Sequence, residues 1–491
     1  MKANDIQTLI QTGDTAQIIY ELQNGRKYPA ASTETISQLN PYKHNVMNKA
    51  ERKDKLVNVD TSDDSDFNTG TISSDGVKYR LEPVARVALA IQKLIVSRAV
   101  SFTFGNPVIL NCEPKNNSEQ KVLDAVQSVL LKTKIRTINR LIAKSLYSTT
   151  EVAELWYPYE TTYDQLYGFS SGYKLKCSVF SPLFGDKLYP YFDEQDNLIA
   201  FSRQYSRRVN ETTEETFFET YTDNAYYKWQ MDNDWKLIEQ RPNAIGKIPI
   251  VYGQQTKTEW EDVQPLIERL EKLLSNFADT NDYHASPKIF TTGTILGWAK
   301  KGESGAVIEG EDGATAQYLS WNNAPQSVQL EIDTLLRMIY TITQTPDISF
   351  DTVKGIGGVS GIALKLLFMD AHLKVKEKQE VWDDYLQRRI SIILAFLQQL
   401  NVRDNQFVEA CNNIMIEPEI TPFMLEDDQA KVALLSSAVG GGAIASRKVA
   451  VTKLGWVKNV NQELSNIAED EASAQVEDMH GQEYEPEENE E

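Results

Sequence analysis

The stretch that follows Gly361 limits this chain more than any other. From there to about Leu400 neither Pro nor Gly occurs. Nothing interrupts a helix across it, so the sequence predicts one roughly 60 Å long at 1.5 Å per residue. Helices of compact domains run about ten to twenty residues. This one must therefore pass through a larger body. The segment before it has the opposite character. Thr345 to Ser360 is rich in Gly, Asp and Ser, and Gly355, Gly357, Gly358 and Gly361 fall within seven residues. Such glycines remove side chains and permit φ > 0, so the loop can move on a rigid base. On composition alone it reads as a passive linker between two helices.

At 491 residues the chain is too long for one core, so several domains are expected. Hydrophobic residues make up 41% and charged residues 24%, ordinary values for a folded protein. Cys112, Cys177 and Cys411 lie far apart, odd in number and without metal-ligand spacing, which suits a reducing compartment. The N-terminus has no apolar signal region, and the longest apolar run, Val84 to Val100, is broken by Arg86, Lys93 and Arg98. Neither secretion by a standard signal nor a membrane span is expected.

The formal charge of −20 is unevenly placed. From Ile467 onward there are 11 acidic residues and no Lys or Arg, leaving 59 acidic against 50 basic residues elsewhere. Like-charge repulsion should keep that tail extended. An acidic body also argues against a surface that grips DNA tightly, since phosphate binding needs clustered cations. It does not argue against a conduit through which DNA slides.

Along the chain, residues 1–82 are polar and punctuated, with a loop at Asp60 to Gly70. Val84, Val87, Ala88, Ile91, Leu94 and Ile95 share the spacing of one helix face, with Pro83 in the first turn and an end near Ser101. Gly105-Asn106-Pro107 is a turn, and Val108 to Cys112 a strand. A second helix is expected from about Ser118 to Ser148, basic at Lys132, Lys134, Arg136, Arg140 and Lys144. Residues 151–253 alternate aromatic and β-branched with polar residues. They read as antiparallel hairpins, with Ile248-Pro249-Ile250 at a sheet edge. Helical periods return at Trp260 to Phe277 and Val328 to Ile339, on either side of a segment with strand-like pieces at Lys288 to Thr292 and Ala314 to Leu319. Further helices follow at Leu425 to Val439, after Ser446 as N-cap, and from Asn459 to Glu471.

The search for chemistry finds little. His44, His284, His372 and His480 are scattered. Gly246-Lys247 lacks an upstream Walker glycine, and Gly355 to Gly361 fails G-x-G-x-x-G because Ser360 holds the last glycine position. It fails G-x-S-x-G as well, since Ile362 stands where the final Gly should be. Asp64, Asp66, Asn68 and Asp75 approach a calcium loop, but Gly70 comes one residue late, and a solvated acidic loop is the simpler reading. The cations from Lys132 to Lys144 suit phosphates or an acidic partner, although a solvated helix face is the simpler reading. No catalytic, cofactor or metal site is assigned.

The order of elements resembles the portal proteins of tailed bacteriophages, in the branch of the long-tailed phages, over roughly residues 80–472. Four stretches carry the resemblance: Ile91 to Pro107, ending Phe-Gly-Asn-Pro; Gly246-Lys-Ile-Pro-Ile250 leading into the helix from about Val263; Ser360-Gly-Ile-Ala-Leu-Lys365; and Ile444-Ala-Ser-Arg-Lys to Glu471. The resemblance implies an α+β portal fold. It assigns 1–82 as an N-terminal arm, partly flexible, and 83–255 as a wing of helices and antiparallel sheet. Residues 256–283 and 326–344 become two stem helices around a clip at 284–325. Residues 345–400 become a tunnel loop and channel helix, 401–468 a crown and 469–491 an acidic flexible tail.

It further implies a homo-oligomeric ring, usually of twelve subunits, at one capsid vertex of the virion, assembled in the host cytoplasm without a membrane. The terminase packages double-stranded DNA through it, head-completion or adaptor proteins attach to it, and major capsid and scaffolding proteins surround it. Lys354, Gly355, Gly357, Gly358, Ser360, Gly361 and Lys365 would face the DNA, the two lysines touching phosphate transiently. No cofactor is implied. The alternatives are another phage head or connector protein, or a hydrolase with a converged carboxylate metal site.

Overall fold

The computed structural model describes residues 8–11, 14–40, 54–58, 79–162, 165–211, 213–285, 288–293, 295–297, 309–310, 312–313, 315–319, 325–347, 366, 368–424, 428–440, 443–457 and 459–481. The architecture is α+β, as expected. The chain forms two compact units, one of Met1–Asp347 with Asp370–Phe423, the other of Ile348–Met369 with Met424–Glu491.

The first unit opens with α1 (Thr15–Gln23) and α2 (Thr33–Ser37), capped by Asp14 and Ser32. Strands β1 (Lys55–Asn58) and β2 (Tyr79–Glu82) pair antiparallel. Then come α3 (Ile91–Phe104), β3 (Ile109–Asn111), α4 (Asn117–Lys132) and α5 (Ile135–Thr149). Eight strands follow: β4 (Glu151–Glu160), β5 (Tyr173–Phe180), β6 (Lys187–Phe192), β7 (Leu198–Arg208), β8 (Glu214–Tyr221), β9 (Ala225–Met231), β10 (Trp235–Pro242) and β11 (Ile250–Gln254).

These strands form two antiparallel sheets, a five-stranded meander β10-β9-β8-β7-β6 and a three-stranded β11-β4-β5. β11 is an edge strand, and Pro249 just before it accepts a bond from the Trp156 amide through its carbonyl. Asp193 builds the β6–β7 turn by accepting from the amides of Gln195 and Asn197. Ile18, Ile19 and Leu22 of α1 cover Phe218, Tyr227 and Trp229 on one face of the meander. Gly25 lets the chain leave α1 there, because a Cβ would stand 2.0 Å from the Tyr191 ring.

Two helices, α6 (Gln264–Ala285) and α7 (Pro325–Ile342), pack together, with Arg269 bonding Glu331 at 2.8 Å. Between them in sequence lie β12 (Lys288–Thr292), β13 (Ile295–Gly297), β14 (Glu309–Gly310) and β15 (Thr315–Leu319), with β12 on β15 and β13 on β14. The long helix is α8 (Met369–Leu400). It is followed by α9 (Asn405–Asn413) and β16 (Glu417–Glu419), which pairs with β3.

The second unit holds α10 (Asp428–Val439), α11 (Arg447–Leu454) and α12 (Val460–Gly481). Ser446 caps α11 as expected, accepting from the Val449 amide, and Gly455 ends it at φ 76°.

Three expectations change. Residues 83–90 are not helical; α3 starts at Ile91. The amides of Ala85, Val87 and Leu89 donate to Asp279 Oδ1, Ser275 Oγ and Glu271 Oε1 on α6, at 2.7, 2.9 and 2.8 Å. Two residues of extended chain span about 6.6 Å and four of helix about 6 Å, so alternate amides meet acceptors one turn apart. This docking outcompetes local helix formation. The second expected helix breaks into α4 and α5 at Lys134, which is left-handed (φ 56°), while the Thr133 hydroxyl bonds back to the Val129 carbonyl. Finally, α12 runs to Gly481, into the segment expected to be an extended tail.

Candidate functional site

The glycine-rich segment is the sequence's candidate site. Lys354, Gly355, Gly357, Gly358, Ser360, Gly361 and Lys365 lie outside the described residues, as do Asp64, Asp66, Asn68 and Asp75. The structure does show how the chain is fixed before and after that segment.

Before it, α7 ends through bonds from Thr343 Oγ1 to the Ile339 carbonyl (2.8 Å) and to Thr345 Oγ1 (2.9 Å), with Gln344 left-handed at φ 51°. The Arg98 guanidinium donates to the Pro346 carbonyl and lies 5.6 Å from the Tyr340 ring centre. After it, α8 presents Lys374, Lys378, Trp382, Tyr385 and Arg389 at helical spacing on one buried or half-buried face.

Lys374 Nζ sits 2.6 Å from Glu259 Oε2 and donates to the Thr343 carbonyl at 2.9 Å. Lys378 Nζ reaches Glu259 Oε1 at 2.8 Å and Gln255 Oε1 at 3.2 Å. Burial works to raise the Glu259 carboxyl, but the two ammonium groups outweigh it and hold it below the ordinary carboxylate value. Lys374 thus ties the last turn of α7 to the first turns of α8. The last turn of α7 and the first turns of α8 share one fixed base. The space at that base, among Arg98, Tyr147, Pro346 and Lys374, is about 10 Å³, room for one water and no larger ligand.

Further along α8, Trp382 Nε1 donates to Tyr147 Oη at 3.0 Å, and Phe104 packs edge-on against the indole. Arg389 then meets Glu154 of β4 through two bonds of 2.7 and 2.8 Å, and Asn139 of α5 at 2.7 Å. Trp156 Nε1 donates to the same carboxylate at 3.0 Å. Burial alone would lower the Arg389 pKa; Glu154 outweighs it and raises the pKa above the ordinary guanidinium value. Arg389, Glu154, Asn139 and Trp156 are hydrogen-bonded to one another, so the cluster locks a helix to a sheet.

Sequence reading did not single out Lys374, Lys378, Arg389, Glu154 or Glu259. A signal was present: cations spaced i, i+4 in the same stripe as Trp382 and Tyr385 have to be paired if that stripe is buried. Among the expected cations, Arg140 Nε bonds the Phe104 carbonyl at 3.3 Å and Lys132 bonds the Leu166 carbonyl. His372 Nε2 lies 3.1 Å from the Phe423 carbonyl. Among the described residues no three His, Cys, Asp or Glu converge as metal ligands. No described helix is long and apolar enough to cross a membrane.

No curated protein matches the chain. Solved structures that match include a chain from the neck of an empty GTA particle. It shares 9% identity and covers 75% of this chain and 90% of its own, at a TM-score of 0.39, too loose a likeness to carry an argument. The family described as "Phage portal protein, SPP1 Gp6-like" matches residues 30–477. With nearly the whole described chain inside that match, this protein belongs to the phage portal protein family.

Proposed function

We propose that the chain forms a ring-shaped DNA channel at one capsid vertex, through which a terminase packages the viral genome and from which the genome later leaves. The family match over residues 30–477 is the observation that carries this reading. The role is structural, as befits the family. In this assignment α6 and α7 are the stem and residues 284–325 the clip, where terminase and then head-completion or adaptor proteins attach. Residues 345–400, with α8, line the channel, and residues 401–468 form the crown.

The Lys374–Glu259 base supports this assignment physically. A loop that brushes moving DNA needs a mobile tip on an anchored root, and the root is ionic, buried and tied on both sides. Lys354 and Lys365 are the cations proposed to touch phosphate transiently. The net acidity of the chain suits passage without tight binding.

Negative-stain images of the purified protein test the proposal. A ring with a central hole supports it; a monomer or closed shell under assembly conditions contradicts it. For the loop, shortening Gly355 to Gly358 should leave rings intact and impair packaging. Normal packaging without the loop would sink the loop assignment.

A further inference from the structure

One short ribbon of the first unit has an open edge. Among the described strands β3 and β16 pair only with each other. Their register sets Ile109 opposite Glu419, Leu110 opposite Pro418 and Asn111 opposite Glu417. Pro418 has no N–H, so the middle pair makes no ladder bonds and the two flanking pairs make them. The N–H and C=O of Leu110 therefore point away from β16, toward an edge where no described strand lies. Such edges are usually blunted by a charge, a proline or a covering element. Val108 to Cys112 contains neither charge nor proline.

The same strand lines a groove. Pro107 to Leu110 share it with Leu131 and Ile135 at the α4–α5 junction and with Ile390 of α8, around about 690 Å³. Its apolar lining is open, since Ile109 is 45% exposed and Leu131 80%. Lys134 and Arg136 also line it, both exposed, and neither side chain bonds a described residue. They belong to a run, Ala125 to Thr150, with five Lys or Arg and no acid, in a chain of net charge −20. The acids of the ribbon, Glu417 and Glu419, sit on the other strand.

A strand-forming peptide needs main-chain partners for a ladder, an apolar slot for alternate side chains, and cations for its acids. All three occur side by side here. We propose that an extended segment of another protein, alternating apolar with acidic residues, adds to the free edge of β3 as a third strand. Its apolar side chains fill the groove and its acids meet Lys134 and Arg136. Nothing in this depends on the ring reading.

The probe is an array of short peptides that alternate Val, Leu, Ile or Phe with Glu or Asp, matched to an array with Lys in place of the acids. Full-length protein should bind members of the first array and not of the second. Leu110→Pro removes the edge donor alone, because the ladder to β16 does not use that amide, and should weaken binding at least about tenfold. Leu110→Val keeps the donor and should bind as the native chain does. Lys134→Glu with Arg136→Glu should lose the acidic peptides and prefer the Lys array, a reversal that misfolding would not produce. Bound peptide should slow exchange of the Leu110 amide, and unchanged protection of α8 controls for folding in each variant. The proposal fails if no acidic peptide binds, if both arrays bind alike, if the charge-reversed variant keeps native affinity, or if the Leu110 amide is unaffected. Slowing of that amide when the protein is concentrated without peptide would assign the edge to a second copy and equally overturn it.

Discussion

Two long helices, α8 and α12, look alike in outline and differ in what holds them. Both are polar in average composition and free of internal proline and glycine until Gly481. α8 is nailed down within its own copy by Glu259 at one end, Tyr147 in the middle and Glu154 toward the other. α12 has one exposed ion pair to α11 and no buried described side chain. The difference teaches where each unit's stability comes from. The first unit contains its core, with Trp156, Trp260 and Trp382 fully buried. From Met424 onward no described residue of the second unit is buried.

Removing one charge from each region should give the widest contrast. Arg389→Ala strands the buried Glu154 carboxylate and should cost about 3–5 kcal/mol in denaturant unfolding of the first unit. Arg447→Ala removes a fully exposed partner of Glu471 and should leave that transition unmoved. Equal losses would mean that the two regions are not held differently.

Tryptophans sharpen the same contrast. Trp382→Ala should cost about 3–5 kcal/mol, because it leaves a cavity against Phe104 and Tyr147. Trp456→Ala removes an exposed indole and should leave the unfolding of the first unit unchanged. A drop in monomer stability from Trp456→Ala would show that the second unit already has its core.

A smaller effect concerns the extended segment 83–90. Burial, the first cause, with help from Glu268, raises the Glu271 carboxyl to about 7 from the ordinary 4.5, against the opposing bond from the Leu89 amide. An acid raised on folding binds its proton more tightly in the folded state, so stability should rise as pH falls from about 7 to about 4.5. Glu271→Gln keeps an acceptor for Leu89 and should flatten that part of the stability curve, being the more stable protein at pH values above 7. A persisting slope would assign it to another group.

The smallest expected effect is Ser446→Ala. It removes the N-cap of α11 and should cost about 1 kcal/mol in the assembled state, measured by thermal unfolding of the oligomer, with no change in the first unit's transition.

Much of this was legible because local pattern and tertiary need agreed. The proline-free run after Gly361 announced α8, and alternation across residues 151–253 announced the antiparallel hairpins of β4 to β11. The α+β class followed from both. What failed did so where distant residues decided the outcome. The apolar spacing from Val84 to Ile95 looked helical, yet the acceptors that hold residues 85–89 extended come from Glu271, Ser275 and Asp279, nearly two hundred residues on. Nothing local foretold that Pro418 and its neighbours would pair with Leu110 and carry residues 401–423 into the first unit. The break at Lys134 has no glycine or proline to announce it. The glycine-rich candidate loop was found by composition, while its anchor, Lys374 on Glu259 and the Thr343 carbonyl, joins three segments that no single stretch displays.

Amide hydrogen exchange on the dilute full-length chain tests the central claim most directly. The long helix of the first unit should be held by its own buried partners, and the helices of the second unit should not. Amides of α8 between Lys374 and Leu397 should be strongly protected when dilute, while those of α10, α11 and α12 should exchange much faster. Equal protection of α8 and α12 in the dilute monomer would contradict the account.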